Sequence, residues 1–241
     1  MLIQEMINLN DFHIFNYKKY SGFKRQRYHL KKNSKILCLG SCDIQSIRPV
    51  NIDIFSWVDY LSLNHEISCL DKIIDYDLLI KFINFYISNY NVPEILCYTM
   101  SIISKTVIIN DMLYTLSENS SKTIHFMFLK KIINTEQKNN LLDIVNDLSK
   151  MSDNEKIEIC SKTINSINTK CLNNNIKFYF TTNGTKTANK YFHFIIDEII
   201  KNSNCSKSYI GWINNIDTQV DSSMGIETQK EMYKFYNKKI C

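Results

Sequence analysis

The residues with the clearest chemical potential are Ser41 and Cys42, which follow Gly40 at the end of an apolar run. A hydroxyl and a thiol are both nucleophiles that can take up an acyl group as a covalent intermediate. The run over 35–40 has the composition of a buried strand, and open α/β sheets bind ligands beyond the carboxyl ends of their strands. The sequence therefore predicts two nucleophiles at a sheet edge, with covalent catalysis as their chemistry. The alternative is that Ser41 caps a helix that Cys42 merely begins.

A second chemical feature, Asp221 with Met224 three residues later, precedes an amphipathic helix predicted over 226–238. Asp221 could orient a catalytic base, but capping of the last helix explains it better, because no histidine follows it. Methionine cannot accept a proton, and none of the five histidines lies in residues 209–233. We consider His65 as a substitute base, against the more common role of a surface residue.

Alternating strands and helices must position these groups, and their order predicts a three-layer, flavodoxin-like α/β domain with a parallel sheet of about five strands. No linker rich in Pro, Gly or Ser divides residues 1–241, so we expect one domain, with a basic extension over 1–34 and a helical elaboration over 104–150. The predicted strands cover 35–40, 52–58 (weakly), 94–100, 175–182 and 208–213, with a turn at Asn183-Gly184. The predicted helices cover 71–91, 187–202, 226–238 and a segment that Asp153 caps and that ends at Leu172.

Three stretches carry a family resemblance: Ile36-Leu37-Cys38-Leu39-Gly40, Phe55-Ser56-Trp57-Val58-Asp59-Tyr60-Leu61, and the block from Tyr209 to Tyr233. In them the chain resembles the SGNH (GDSL-like) hydrolase superfamily, whose first strand ends in Gly-Asp-Ser and whose Asp-x-x-His motif precedes the last helix. Here Ser41 stands at the aspartate position, Cys42 at the serine position and Met224 at the histidine position. The Gly-Ser-Cys turn is similar to that of the GSCFA branch and of related capsule-biosynthesis proteins regarded as acyltransferases.

The resemblance implies a nucleophile at Cys42 or Ser41, supported by Asp221, with the backbone N–H groups of Ser41 and Cys42 in the oxyanion hole. A thiol suits acyl transfer because thiolate is intrinsically nucleophilic, and the start of a helix would lower the pKa of the Cys42 thiol. The chain lacks the family's glycine in its second block and its asparagine in its third. The positions implied for substrate contacts are Gly40, Asp43, Asn64, Thr99, Ser101 and Met224.

The implied function is an esterase or acyltransferase that acts on a small acylated molecule, for example a carbohydrate. Because Met224 replaces the histidine, the alternative is a catalytically silent protein of the same fold that binds a carbohydrate or a protein. A nucleotide- or nucleic-acid-binding protein is the third hypothesis. It rests on the basic and aromatic residues of 17–32, which a solvated extension explains better. The histidines and cysteines show no metal-ligand spacing, and we expect no cofactor.

Composition narrows the class of protein. The net charge of +5 is modest for 241 residues, so a nucleic-acid partner is not the expectation. Eight cysteines without a CxxC pair, and a chain start that is polar within four residues, predict reduced thiols in a cytoplasmic protein. No apolar run reaches the roughly 18 residues of a membrane helix, so we expect no membrane partner. The oligomeric state stays open.

Overall fold

The computed structural model describes residues 30–40, 56–70, 76–100, 103, 105–110, 112–185, 190–215 and 226–241. The strands in these ranges are β1 (Ile36–Leu39), β2 (Ile67–Leu70), β3 (Ile95–Met100), β4 (Lys105–Ile109), β5 (Met112–Leu116), β6 (Lys177–Thr185) and β7 (Tyr209–Asn215). The helices are α1 (Trp57–Ser62), α2 (Tyr76–Asn89), α3 (Ser121–Leu129), α4 (Thr135–Lys150), α5 (Asp153–Asn173), α6 (Lys190–Asn202) and α7 (Ile226–Ile240).

Five strands form one parallel sheet in the order β2-β1-β3-β6-β7, and β4 and β5 pair as a separate antiparallel hairpin. β1, β2 and β3 are buried along their whole length, which is typical of parallel strands covered by helices on both faces. With the hairpin set aside, the strand order is that of flavodoxin-like folds. The predicted three-layer α/β fold with about five parallel strands is confirmed.

Helices cover both faces of the sheet. Because successive side chains of a strand point to opposite faces, Leu37 and Leu39 of β1 join one core and Ile36 and Cys38 join the other. The first core is the larger and is completed by α2, α5 and α6. The second core is completed by α1 and α7.

The segment predicted as a helical elaboration over 104–150 contains a hairpin as well as helices. β4 and β5 are joined by two residues, the first of which, Asn110, has a φ of 50°. Asparagine tolerates this left-handed conformation, which tight two-residue hairpin turns require. The hairpin, α3 and α4 share an apolar cluster of their own, and α4 also reaches the larger sheet core through the buried Leu148. Ile144 of α4 packs against both this cluster and the larger sheet core.

One predicted element, the weak strand over 52–58, is wrong at its described positions. Trp57 and Val58 were assigned to a weak strand over 52–58, but they begin α1, and the second strand is Ile67–Leu70. A helix forms here instead of a strand because Ser56 and Asp59 form a capping box, in which each side chain accepts from the other residue's backbone N–H. Residues 51–55 lie outside the described ranges.

Two predicted boundaries also shift. Ser152, not Asp153, caps α5, and it forms a capping box with Glu155. The turn predicted at Asn183-Gly184 does not occur, because β6 continues to Thr185 and pairs Asn183 with Ile213 and Gly184 with Asn214. Pairing with a neighbouring strand overrides the local turn preference of Asn-Gly, as tertiary context often does for such weak preferences.

The seven cysteines within the described ranges are free, and Cys241 alone among these seven is exposed. Cys42 lies outside those ranges. No helix in the part of the chain that the structure describes is long and apolar enough to cross a bilayer.

Candidate active site at the carboxyl edge of the sheet

The carboxyl ends of β1 and β3 mark the point where the strand order reverses. From β1 the chain continues to β2 on one side, and from β3 the sheet continues to β6 on the other. Such a switch point forms a crevice outside the strand ends, which is where ligands bind in open α/β sheets. Gly40 follows β1 directly and is buried. Gly40 therefore lies at the crevice end of an interior strand.

Thr99 lies next to this strand end. Leu39 of β1 pairs with Tyr98 of β3, so Gly40 and Thr99 are the next residues along their neighbouring strands. The Thr99 side chain is buried, and its Oγ1 lies 3.5 Å from the Oη of Tyr236 in α7. Tyr236 Oη also donates to the Tyr98 carbonyl at 2.7 Å. The Thr99 hydroxyl therefore contacts a side chain that packs α7 against β3, and this contact is structural.

Asn64 and His65 lie at the opposite edge of the sheet from Gly40. They precede β2, and Ile67 at the start of β2 pairs with Ile36 at the start of β1. Asn64 is exposed, and His65 Nε2 lies 4.0 Å from the Sγ of Cys241, which follows α7. A four-residue strand spans about 13 Å, so neither side chain reaches the Gly40 end of β1.

The expectations for these two residues are corrected accordingly. Asn64 does not share an edge with Gly40 and Thr99, and His65 is not placed as a substitute base for that edge. Both expectations depend on the strand predicted over 52–58, after which Asn64 and His65 would follow. The second strand is instead Ile67–Leu70, so both residues precede it. The other predicted site residues lie outside the described ranges; they are Ser41, Cys42, Asp43, Ser101, Asp221 and Met224.

A hydrogen bond and a ring stack join α1 to α7. The Trp57 backbone N–H donates to Gln229 Oε1 at 2.7 Å, and Gln229 is buried. The Trp57 and Tyr236 rings stack with their centroids 4.2 Å apart. Sequence reasoning missed Gln229, although it precedes Met232 and Tyr236 by three and seven residues and so lies on the helix face that they mark.

Asp59 brings a buried carboxyl group to α1. Its Oδ2 accepts from the Ser56 N–H at 2.7 Å and from Ser56 Oγ at 2.9 Å. Burial raises the pKa of Asp59 to about 6, although the backbone hydrogen bond from Ser56 opposes this. A carboxyl group with such a pKa can exchange a proton near neutral pH, but these contacts are those of a helix cap. The Ser-x-x-Asp pattern could have revealed this capping box in the sequence.

Three buried thiols lie side by side on neighbouring strands, where Cys38 of β1 pairs in register with Cys69 of β2 and Cys97 of β3. Burial raises the pKa of Cys38 well above its ordinary value, and Cys97 and Cys69 raise it further. Burial likewise raises the pKa of Cys171 to about 12. Because a cysteine attacks as thiolate, Cys38 and Cys171 are packing residues and not candidate nucleophiles.

Within the described ranges, no group of three or more His, Cys, Asp or Glu side chains is arranged to hold a metal ion. No family model and no curated protein matches the sequence. The candidate site therefore depends on the strand order, the residues that follow Gly40 in the sequence, and the packing of α1 against α7.

Proposed function

We propose that the chain is an SGNH-like esterase or acyltransferase that uses Cys42 to attack a small acylated substrate, such as an acylated carbohydrate. One observation carries the proposal: Gly40 directly follows an interior parallel strand at the switch point of the sheet, and Ser41 and Cys42 come next in the sequence. A short connection from that strand end keeps a nucleophile close to the crevice where such folds bind ligands.

The choice of a thiol over a hydroxyl follows from the absence of a nearby base in the sequence. Residues 209–233, which lead into α7, contain no histidine, and His65 is at the far edge of the sheet. A serine needs a neighbouring base to lose its proton, whereas a few per cent of an ordinary cysteine is already thiolate at neutral pH. Cys42 is therefore the stronger candidate of the two nucleophiles.

In the proposed reaction, the Cys42 thiolate adds to the acyl carbonyl carbon, and the backbone N–H groups of Ser41 and Cys42 donate to the oxyanion. Collapse of this intermediate breaks the ester bond, leaves a thioester on Cys42, and releases an alcohol that takes a proton from water. Water, or a second hydroxyl compound, then attacks the thioester and restores the thiolate. The first acceptor makes the protein an esterase and the second makes it an acyltransferase.

The packing of α7 supports a contribution from the residues that precede it. Asp221 and Met224 come shortly before α7, and the first turns of α7 are tied to the start of α1 through Gln229 and Trp57. Both helices follow segments that leave the carboxyl ends of strands, β1 for α1 and β7 for α7. This arrangement supports the proposal that Asp221 approaches Ser41 and Cys42.

A second candidate function is favoured by one residue, Met224. Methionine at the position of the family's histidine cannot take up a proton, so the same fold could bind an acylated carbohydrate, or a protein, without turning it over. The two functions make opposite predictions for Cys42: the enzyme requires its thiol, and the binding protein does not.

The test is hydrolysis of p-nitrophenyl acetate and release of free CoA from short-chain acyl-CoA donors. We expect Cys42→Ala to abolish turnover and Ser41→Ala to leave a larger fraction of it. Met224→His is expected to raise the esterase rate, because it supplies a base. Cys241→Ala is the matched control: it removes an exposed thiol at the other end of α7, about 22 Å along a helix of 15 residues.

Turnover that survives Cys42→Ala would refute the thiol mechanism. If no variant shows turnover but the protein binds an acylated sugar with an affinity that Cys42→Ala leaves unchanged, the silent binding function is correct. Equal losses of turnover in Cys42→Ala and Cys241→Ala would show that the loss is not specific to Cys42, and would also contradict its assignment as the nucleophile.

A further inference from the structure

The outward face of α3 exposes two large apolar side chains. Ile124 and Met127 of this helix are buried in the core that α3 shares with the hairpin and α4. On the other side of the helix, Phe126 is 55% exposed and Leu129 is 76% exposed. Residues three apart are neighbours on a helix surface, so Phe126 and Leu129 form one apolar patch.

Three lysines lie close to this patch in the sequence. Lys122 lies one turn before Phe126, and Lys130 and Lys131 follow Leu129. No acidic residue occurs from Asn119 to Thr135. Within the described part of the chain, none of these three lysines forms an ion pair. The Lys130 Nζ lies 5.5 Å from the centroid of the Phe126 ring, so charge and apolar surface are in direct contact.

We propose that the α3 surface, formed by Lys122, Phe126, Leu129, Lys130 and Lys131, docks the protein on an anionic lipid bilayer. Apolar side chains of an interfacial helix enter the boundary between headgroups and acyl chains, while lysines attract anionic headgroups. Lysine side chains are long enough to lie along the apolar patch and keep their ammonium groups at the headgroups. These exposed lysines therefore complement a negatively charged surface.

Docking on a bilayer differs from spanning it, and it needs no helix long enough to cross the membrane. The proposal does replace the expectation of no membrane partner, drawn from the sequence, with peripheral binding to a membrane. It is also independent of the chemistry proposed for Cys42, because the α3 surface belongs to the core of the elaboration and not to the cores of the sheet.

The size of the patch favours a bilayer over a protein partner. Phe126 and Leu129 together expose on the order of 200 Å², whereas a stable protein interface buries about 800 Å² on each partner. The patch also lies on the convex outer side of one short helix. Two inserted side chains and a few lysines suffice for weak, reversible attachment to lipid.

The test is sedimentation of the full chain with phosphatidylcholine vesicles, with and without 30% phosphatidylserine. We expect binding only to the anionic vesicles. Each lysine near such a surface contributes about fivefold to partitioning, so Lys122→Ala/Lys130→Ala/Lys131→Ala is expected to weaken binding about 100-fold. Phe126→Ser/Leu129→Ser is expected to weaken it at least tenfold, because the inserted apolar groups are lost.

Matched controls remove the same groups elsewhere. Leu63→Ser/Leu172→Ser removes two other exposed leucines, and Lys32→Ala/Lys238→Ala/Lys239→Ala removes three other exposed lysines; both are expected to bind like the unmodified protein. Circular dichroism melts of all four variants check folding.

Unmodified binding by both α3 variants would overturn the proposal and would point to the basic residues of 17–32. Loss of single-stranded DNA binding in the lysine variant, with no vesicle binding by any protein, would assign the surface to nucleic acid. Specific binding to an acidic protein, again without vesicle binding, would assign it to a protein partner.

Discussion

Two helices of this protein begin with the same cap in different surroundings. At α1, Ser56 N–H and Oγ donate to Asp59 Oδ2 at 2.7 and 2.9 Å. At α5, Ser152 N–H and Oγ donate to Glu155 Oε2 at 2.8 and 2.6 Å. The local geometry is nearly the same, but Ser56 and Asp59 are buried whereas Ser152 and Glu155 are exposed.

The surroundings give the two carboxyl groups opposite shifts. Burial dominates at Asp59 and raises its pKa to about 6. At Glu155 the hydrogen bonds from Ser152 dominate and lower the pKa. A capping box therefore fixes where a helix starts, but it does not fix the pKa of the carboxyl group that takes part in it. Protonation depends on how much water the tertiary fold leaves around the carboxyl group.

The largest difference in stability between the two caps is expected when the first residue of α1, Trp57, and the first residue of α5, Asp153, are each replaced by alanine. Trp57 of α1 is fully buried and stacks on Tyr236, so Trp57→Ala should lower the free energy of unfolding by about 3–5 kcal/mol. Asp153 holds the same position in the exposed cap, and Asp153→Ala should cost less than about 1 kcal/mol, mainly through the helix dipole. Urea unfolding of both variants measures the difference.

Trp57→Phe separates the loss of the ring stack from the loss of the indole N–H. It keeps a ring on Tyr236 and removes the indole Nε1, which is buried and has no hydrogen-bond partner within the described part of the chain. It should therefore recover most of the loss seen in Trp57→Ala. Similar losses in Trp57→Ala and Asp153→Ala would show that burial does not distinguish the two caps.

A smaller effect is expected from Asp59→Asn, and it depends on pH. Because the folded pKa of Asp59 is raised from 3.8 to about 6, the stability it contributes is fully present below pH 3.8 and is lost as the pH rises through about 6. Asparagine can still accept from Ser56 and stays neutral. Asp59→Asn should thus stabilise the protein at pH 7.5, by at most about 3 kcal/mol, and change little at pH 4. Urea unfolding between pH 4 and 8 measures this; an unchanged pH dependence in the variant would contradict it.

The smallest effect, with the opposite sign, is expected from Glu155→Gln. The folded pKa of Glu155 is lowered from 4.5, so its stabilisation is present above pH 4.5 and is lost as the pH falls through the folded pKa. Glu155→Gln should slightly destabilise the protein at pH 7 and have no effect in strong acid. The same urea series provides the measurement, and a gain in stability at pH 7 would show that this cap behaves like the buried one.

The order of elements was largely predictable from the sequence, whereas the second strand was not. Apolar runs identified β1, β3 and β6 because parallel strands are buried on both faces and show little alternation. The run over 52–58 is also rich in apolar residues, although Asp53 and Ser56 interrupt it, and the capping box is the local signal that favours a helix at Trp57. That one error also moved Asn64 and His65 to the wrong edge of the sheet.

The candidate site was predictable only in part. Gly40 at the end of β1 followed from the apolar run that precedes it, but Gln229 and Asp59 were missed. Gln229 accepts from the backbone N–H of Trp57, 172 positions away, and a local pattern carries no information about such a partner. The cap between Ser56 and Asp59 is visible as a local pattern, but the burial of Asp59 depends on the tertiary fold.

The sequence alone established the alternation of strands and helices, the nucleophiles Ser41 and Cys42 directly after Gly40, and the lack of a histidine in residues 209–233, because these depend on neighbouring residues alone. The tertiary structure was needed to show which cysteines are buried, which of the two capping carboxyl groups has a raised pKa, and which side of α3 is exposed. Those properties depend on solvent exclusion and on contacts between distant segments, and both arise only when the sheet and its helices pack together.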